Sequence, residues 1–213
     1  NFRIGYATSP DGIHWTKRPG KAGSGSVLGL GTEVKNDFHG YGQPDYKGAG
    51  QPFVIKEGLT YRMWYEGFDG RVWRIFYAVS NDGVKWDAKG ALLNGGSRGS
   101  LDELGLRNPV VIKRKGEYEL WYQGRSGGLP NYHVLRATSP NGIGWTKIQG
   151  EVTLHPPSPV TKNEEIFVDS ILVQPDGSCQ VFYSKENTTI SQASDGGINE
   201  SKRFANYMEV VNP

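Results

Sequence analysis

A repeat of about sixty residues runs in register through this 213-residue sequence. Its clearest copy spans residues 107–145 and reads R-N-P-V-V-I, then Y-E-L-W-Y, then A-T-S-P-N-G-I-G-W. A second copy, at residues 51–86, lies about 57 residues upstream and carries the matching segments Q-P-F-V-I, Y-R-M-W-Y and A-V-S-N-D-G-V-K-W. The alternation of apolar and polar residues predicts four short strands joined by hairpins in each copy.

Further copies extend this repeat to both ends of the chain. A looser copy begins at Asp169, and half a copy occupies residues 4–15. About three and a half units are therefore visible, with boundaries near 1–18, 51–98, 108–155 and 166–212. One four-stranded unit cannot bury both of its faces alone, so the units must stack on one another. We predict an all-β chain, a β-propeller of four-stranded antiparallel blades that forms a single domain over residues 1–213.

Composition supports this class and excludes others. Thirty glycines, twelve prolines and 12% aromatic residues favour short strands and tight turns. The net charge of +2 is too small to favour nucleic acid as a partner, and no segment approaches the ~20 apolar residues of a membrane span. The single cysteine, Cys179, cannot form an internal disulfide and is predicted to be a small core residue. The chain begins without Met and in the middle of a unit, as a trimmed or a mature chain would. We expect a secreted or periplasmic protein.

The segment S-x-D/N-G-x-x-W closes the first three units and is predicted to be structural, and the looser last unit has its final turn at residues 193–196. The Asp or Asn can bond its own backbone, and the Gly supplies a positive φ. We expect the Trp to cover the hairpin and to pack between neighbouring units. Trp64 and Trp121 lie in alternating strands and are predicted to be core residues.

The three repeated segments, which read R-N-P-V-V-I, Y-E-L-W-Y and A-T-S-P-N-G-I-G-W in the clearest copy, together resemble those of the five-bladed propeller glycosidases. That group includes glycoside hydrolase families 32, 43, 62 and 68. The resemblance covers nearly the whole chain, and it implies a glycan substrate at the mouth of a central channel. In that group three carboxylates do the chemistry, and they lie at the starts of the innermost strands. One of them often stands in an Arg-Asp-Pro tripeptide. Five blades need roughly 300 residues, so the resemblance also implies that about 85 residues are missing at the N-terminus.

This chain departs from that pattern at two of three corresponding positions. Asn108 replaces the acid of the tripeptide, and Gln51 occupies the equivalent position in the preceding unit. Only the following unit offers an acid, Asp169. An amide cannot exchange a proton at neutral pH, whereas a glycosidase needs one carboxyl that donates a proton and one carboxylate that attacks or activates water. The other carboxylates therefore come either from the missing blades or from the loops.

Within the chain, four carboxylates are candidates for catalysis: Asp169, Asp45, Asp102 and Glu66. Asp45 and Asp102 are repeated six residues before Gln51 and Asn108, so loop capping is an alternative for both. Glu66 stands where the following units have Gln123 and Ser184, and a solvated strand end is its alternative. The candidates for substrate binding are Arg107, Asn108, Gln51, His39 and Glu165. No metal-ligand spacing is evident, and no cofactor is expected.

Two functional hypotheses follow, and they belong to different classes. The first is a glycoside hydrolase-like enzyme in which Asp169 is the general acid or base. The second is a non-catalytic sugar-binding propeller or an inactive glycosidase homologue, which the amides at the acid positions favour. A propeller fragment without activity of its own is a third alternative. Because open strand edges invite pairing, we expect the chain to form an oligomer, to pair with a missing N-terminal segment, or to close a smaller ring through its terminal strands.

Overall fold

A computed structural model describes residues 2–20, 22, 25–29, 47–128, 132–150, 152, 154, 164–192 and 198–211, without the side chains of 187–192 and 198–204. The regular structure of the described residues is entirely β, in thirteen strands and four sheets, and contains no α-helix. The prediction of an all-β chain built from four-stranded antiparallel units is therefore confirmed. No described helix is long and apolar enough to span a bilayer.

Two of the sheets are complete four-stranded units in which neighbours in sequence are neighbours in the sheet. One contains β3 (Gly48–Glu57), β4 (Thr60–Phe68), β5 (Trp73–Ser80) and β6 (Asp87–Leu93). The other contains β7 (Gly105–Arg114), β8 (Glu117–Arg125), β9 (Tyr132–Ser139) and β10 (Thr146–Lys147). They coincide with the two clearest copies of the sequence repeat.

The remaining sheets are smaller. The N-terminal sheet pairs β1 (Tyr6–Thr8) with β2 (Thr16–Arg18). The C-terminal sheet has the order β11 (Glu164–Val173), β12 (Cys179–Gln192) and β13 (Ile198–Val211). The predicted last turn of this unit, at residues 193–196, lies outside the described residues.

Contacts within the chain define two compact units. The first contains Asn1–Gly95 and Gly105–Val111, and the second contains Gly96–Leu104 and Ile112–Pro213. Strand β7 thus contributes its first part to one unit and its last part to the other. The single domain over residues 1–213 stays a prediction.

The cores of the two units confirm the predictions for buried aromatic residues. Trp64 and Trp121 are fully buried, and so is Cys179. In the first unit, the strands β3, β4 and β5 bury Ala49, Met63, Tyr65, Phe76 and Ala78 together with Ile4, Val27 and Leu28. Met63 and Tyr65, like Phe76 and Ala78, are alternate residues of one strand and so share a face of the sheet, and Trp64, on the opposite face, is buried as well.

The S-x-D/N-G-x-x-W segment forms the same turn in three copies of the sequence repeat. In the second copy, Oγ of Ser80 accepts hydrogen bonds from the N–H groups of Asp82 and Gly83, and Oδ1 of Asp82 accepts from those of Val84 and Lys85. The glycines of the three turns, Gly12, Gly83 and Gly142, have φ of 76°, 73° and 71°. The structural role predicted for this segment is confirmed.

The expected packing of the turn tryptophans holds in only part of the chain. Trp86 packs against the core of the first unit. Trp15 is 63% exposed, so the expectation was wrong there. The strands that flank Trp15 are three residues long and offer little surface to cover its ring. Its indole N–H instead donates to the carbonyl oxygen of Gly12 (3.1 Å).

Candidate functional site

Irregular backbone marks the corresponding position in the first strand of three successive sheets. Gln51 and Asn108 have φ of 43° and 52°, in the left-handed region that non-glycine residues rarely adopt. The pairing register shifts between Gly50 and Phe53 in β3 and between Val168 and Ser170 in β11, at Asp169. These residues therefore lie inside their strands rather than at the starts, where the sequence placed them. Such irregularities redirect a side chain and are concentrated beside functional sites.

In the first unit, the carboxylate of Glu66 fixes the backbone at Asn108. Glu66 is 4% exposed. Its Oε2 accepts hydrogen bonds from the backbone N–H of Asn108 (3.1 Å) and from Nε of Arg107 (3.3 Å). Glu66 also pairs in register with Gly50, the residue before Gln51. The alternative prediction, that Glu66 lies at a solvated strand end, is therefore wrong, because its side chain is buried.

Arg107 is held on a second side by an aromatic ring. Its guanidinium lies 5.0 Å from the ring centroid of Trp73, and Phe68 stacks on the same indole at 4.8 Å. The glycine at position 105 lets the backbone of β7 lie close to Trp73, because a Cβ there would be only 3.1 Å from the carbonyl oxygen of Trp73. Trp73 was not identified from sequence, since it opens a strand outside the repeated motifs.

In the second unit, Asp169 is an exposed residue with a hydrogen-bonded carboxyl. Oγ of Ser184 donates to its Oδ1 (3.3 Å). Partial desolvation of the carboxyl raises the pKa of Asp169 above its ordinary value, and the Ser184 hydroxyl only partly opposes this. A raised pKa keeps a larger fraction of the carboxyl protonated near neutral pH than an ordinary aspartate retains.

Gln123 occupies the position in β8 that Glu66 occupies in β4. It is 3% exposed, and its Nε2 donates to the carbonyl oxygen of Ile166 in β11 (3.0 Å). Its Oε1 is buried without a hydrogen-bond partner among the described residues. Glu66 and Gln123 thus both bond the backbone of the first strand of the following sheet, a shared role that their alignment in the repeat could have indicated.

Asp102 is buried and fully engaged in hydrogen bonds. Its Oδ1 accepts from the N–H of Gly96 (3.1 Å) and from Oγ of Ser100 (3.0 Å). Its Oδ2 accepts from the hydroxyl of Tyr122 (3.2 Å) and from the ammonium of Lys147. Burial and the charge of Asp102 raise the pKa of Tyr122, so the hydroxyl stays protonated and remains a donor. These contacts favour loop capping over a free catalytic carboxylate.

The remaining sequence candidates lie apart from these contacts. Glu165 is half-buried in β11, where it pairs with Glu186 of β12. Asp45 and His39 lie outside the described residues. Among the described side chains, no group of three or more His, Cys, Asp or Glu residues is arranged to hold a metal ion.

Comparison with known structures defines the class of fold. The β-1,2-mannobiose phosphorylase of Listeria innocua, solved with β-1,2-mannobiose, aligns with a TM-score of 0.60 over 94% of this chain and 48% of that one, at 13% identity. A structure described as a glycoside hydrolase of the GH130 family that targets β-1,2-mannosidic linkages in Candida mannan gives 0.56 over 94% and 56%, at 17% identity. At these identities the comparison shows the fold alone: the chain shares the β-propeller-like fold of these structures.

Sequence comparison leads to relatives without an assigned activity. The uncharacterized protein Rv1502 of Mycobacterium tuberculosis is 36% identical over 109 residues, which are 46% of this chain and 33% of that protein. The chain thus matches about a third of the length of its curated relatives and about half the length of the solved structures. No protein-family model matches it.

Proposed function

We propose that this protein is a carbohydrate-active, glycoside hydrolase-like protein that acts on a glycan. The observation that carries the proposal is the residue type at the irregular first-strand position of each sheet: Gln51 and Asn108 in the first compact unit, and Asp169 in the second. Amides both donate and accept hydrogen bonds, as sugar hydroxyls require, and a carboxyl can also transfer a proton. The fold supports the proposal, because its solved neighbours cleave glycosidic bonds.

Asp169 is the residue that we assign to proton transfer. Glycosidic cleavage needs a carboxyl that protonates the leaving oxygen, and enzymes raise the pKa of such a carboxyl by desolvation. Asp169 is exposed, but its carboxyl is partly desolvated, which raises its pKa, and the Ser184 hydroxyl donates a hydrogen bond to it. Attack on the sugar needs a second group. In hydrolysis a second carboxylate either attacks the sugar, with water then releasing the product, or takes a proton from the water that attacks it, and in phosphorolysis inorganic phosphate attacks the sugar.

A non-catalytic sugar-binding protein is the second candidate function. The amides at Gln51 and Asn108 favour it, because neither can serve as a nucleophile, base or acid.

A paired measurement of turnover and binding tests the proposal. The wild-type protein and Asp169→Asn would be assayed against a panel of chromogenic glycosides and β-linked manno-oligosaccharides, with and without inorganic phosphate. Calorimetry would measure affinity for every hit. We expect wild-type turnover, a fall in kcat of about 100-fold or more in Asp169→Asn, and similar affinity in both proteins.

The other outcomes are equally informative. Binding without turnover in the wild-type protein would select the sugar-binding alternative. Neither binding nor turnover across the panel would contradict both candidate functions. A secreted or periplasmic location is part of the proposal, and fractionation of the native cells tests it.

A further inference from the structure

Glu66 connects the two left-handed positions of the first unit. Its backbone pairs with Gly50, directly before Gln51, and its carboxylate accepts the N–H of Asn108. A Cβ added at Gly50 would lie 3.5 Å from its Oε1, so the side chain passes close to β3 before it reaches β7. One buried side chain thus contacts the backbone beside both irregular residues.

The contacts of Glu66 are those of a structural acceptor. Both of its donors, the Asn108 N–H and Nε of Arg107, converge on Oε2. Arg107 supplies a neighbouring positive charge, so the pair is close to neutral overall. An unpaired buried carboxylate would be costly, and these two contacts compensate for the desolvation of Glu66.

The corresponding residues of the next two sheets act in a related way. Gln123 donates to Ile166 of β11, and Ser184 donates to Asp169 of the same strand. Glu66 and Gln123 thus each bond the backbone of the first strand of the following sheet, whereas Ser184 bonds a side chain of its own sheet. At the position of Glu66, the amide of Gln123 keeps a backbone hydrogen bond without a carboxylate.

We propose that Glu66 is a positioning residue that holds Asn108 in its left-handed conformation, and that Asn108 thereby binds a hydroxyl of a neutral glycan. The proposal rests on the carbohydrate function proposed for this protein and specifies its ligand. A neutral glycan fits because Arg107 is already paired with Glu66, so the pair adds little net charge that would attract an acidic sugar. Glu66 itself transfers no proton.

Two variants separate positioning from catalysis. Glu66→Gln keeps an acceptor for the Asn108 N–H but cannot act as an acid or a base at neutral pH. Glu66→Ala removes the acceptor. Glu119→Ala is the matched control, because Glu119 is also buried and accepts hydrogen bonds from two arginines, Arg114 and Arg136, within the second compact unit.

The first readout needs no glycan. Amide hydrogen exchange, followed by NMR, reports the hydrogen bond of the Asn108 N–H directly. We expect this N–H to exchange slowly in the wild type. Its rate in Glu66→Gln should stay within about threefold of the wild-type rate, and its rate in Glu66→Ala should be at least tenfold faster than in the wild type. Glu119→Ala should leave the Asn108 rate unchanged relative to neighbouring amides. An unchanged Asn108 rate in Glu66→Ala would overturn the proposal.

The second readout uses the neutral glycan hit from the activity panel, with its uronic acid counterpart for comparison. We expect Kd to rise at least tenfold in Glu66→Ala and less than threefold in Glu66→Gln, with the pH profile of turnover unchanged in Glu66→Gln.

Loss of turnover in Glu66→Gln with Asn108 exchange intact would make Glu66 a catalytic group and overturn the proposal. Preferential binding of the uronic acid compound would overturn its ligand class. If the wild-type protein neither binds nor turns over any glycan, the proposed function fails, while the exchange rates still decide the role of Glu66.

Discussion

Asp169 differs from Gln51 and Asn108 in charge although the three residues occupy corresponding positions. Its carboxyl is partly desolvated, and its hydroxyl partner does not fully offset that cost. The folded protein therefore binds the Asp169 proton more tightly than the unfolded chain does. The stability linked to Asp169 is fully present below the unfolded pKa of about 3.9 and is lost as the pH rises through the folded pKa.

Asp169→Asn should for this reason stabilise the protein at neutral pH. The amide keeps an acceptor for Ser184 and has no charge to desolvate. Thermal unfolding at pH 7 should give a higher Tm than the wild type, and the difference should shrink toward zero near pH 3, where Asp169 is protonated in both states. An increase in Tm over the wild type that is equally large at both pH values would show that desolvation of the Asp169 carboxylate does not cost stability.

Asp102 illustrates a different use of a carboxylate. It is buried, and it bonds the loop before β7 to Tyr122 of β8 and to Lys147 of β10. Asp102→Ala should destabilise the protein by about 3 kcal/mol, because it leaves the ammonium of Lys147 and several buried donors without their acceptor. Urea unfolding measures this loss. Asp87→Asn, which breaks an exposed ion pair with Lys89, is the control and should change stability little.

At the scale of the element, the sequence repeat predicted strands and turns well because both have local causes. Alternation determines a strand, and a Ser, Asp and Gly at fixed spacing determine the closing turn. The irregular first-strand backbone was not predicted. Proline after Gln51 and Asn108 disfavours a helical conformation at these residues but does not by itself indicate a left-handed one. The hydrogen bond from Asn108 to Glu66 depends on a contact 42 residues away in sequence, which no local pattern contains.

The closing turn offers a test of the local argument. Asn141 stands where the other turns have Asp11 and Asp82, and its Oδ1 accepts from the N–H groups of Ile143 (2.9 Å) and Gly144 (3.0 Å). Asn141→Ala should lower stability by about 1 kcal/mol, because both donors lose their acceptor. Asn141→Asp keeps the acceptor and should unfold at nearly the wild-type urea concentration. Equal losses in both variants would show that the side chain oxygen does not stabilise this turn.

At the scale of the whole molecule, the repeat predicted the class of fold and the comparisons confirmed it. The candidate site was predicted only in part. Arg107, Asn108, Gln51, Glu66 and Asp169 were identified because they depart from, or align within, a repeated pattern. Trp73 and Lys147 gain their roles from contacts between distant segments, so their positions in the sequence could not show them.

The central claim is that this protein acts on a glycan and that Asp169 carries the proton in its chemistry. The most direct measurement is kcat for a glycan hit across pH, in the wild type and in Asp169→Asn, with affinity measured on the same samples. The account predicts that the wild type turns over the glycan, that its rate falls as the pH rises through the pKa of Asp169, and that Asp169→Asn binds the glycan normally but loses at least about 100-fold in kcat. Full activity in Asp169→Asn, with an unchanged pH profile, would contradict it.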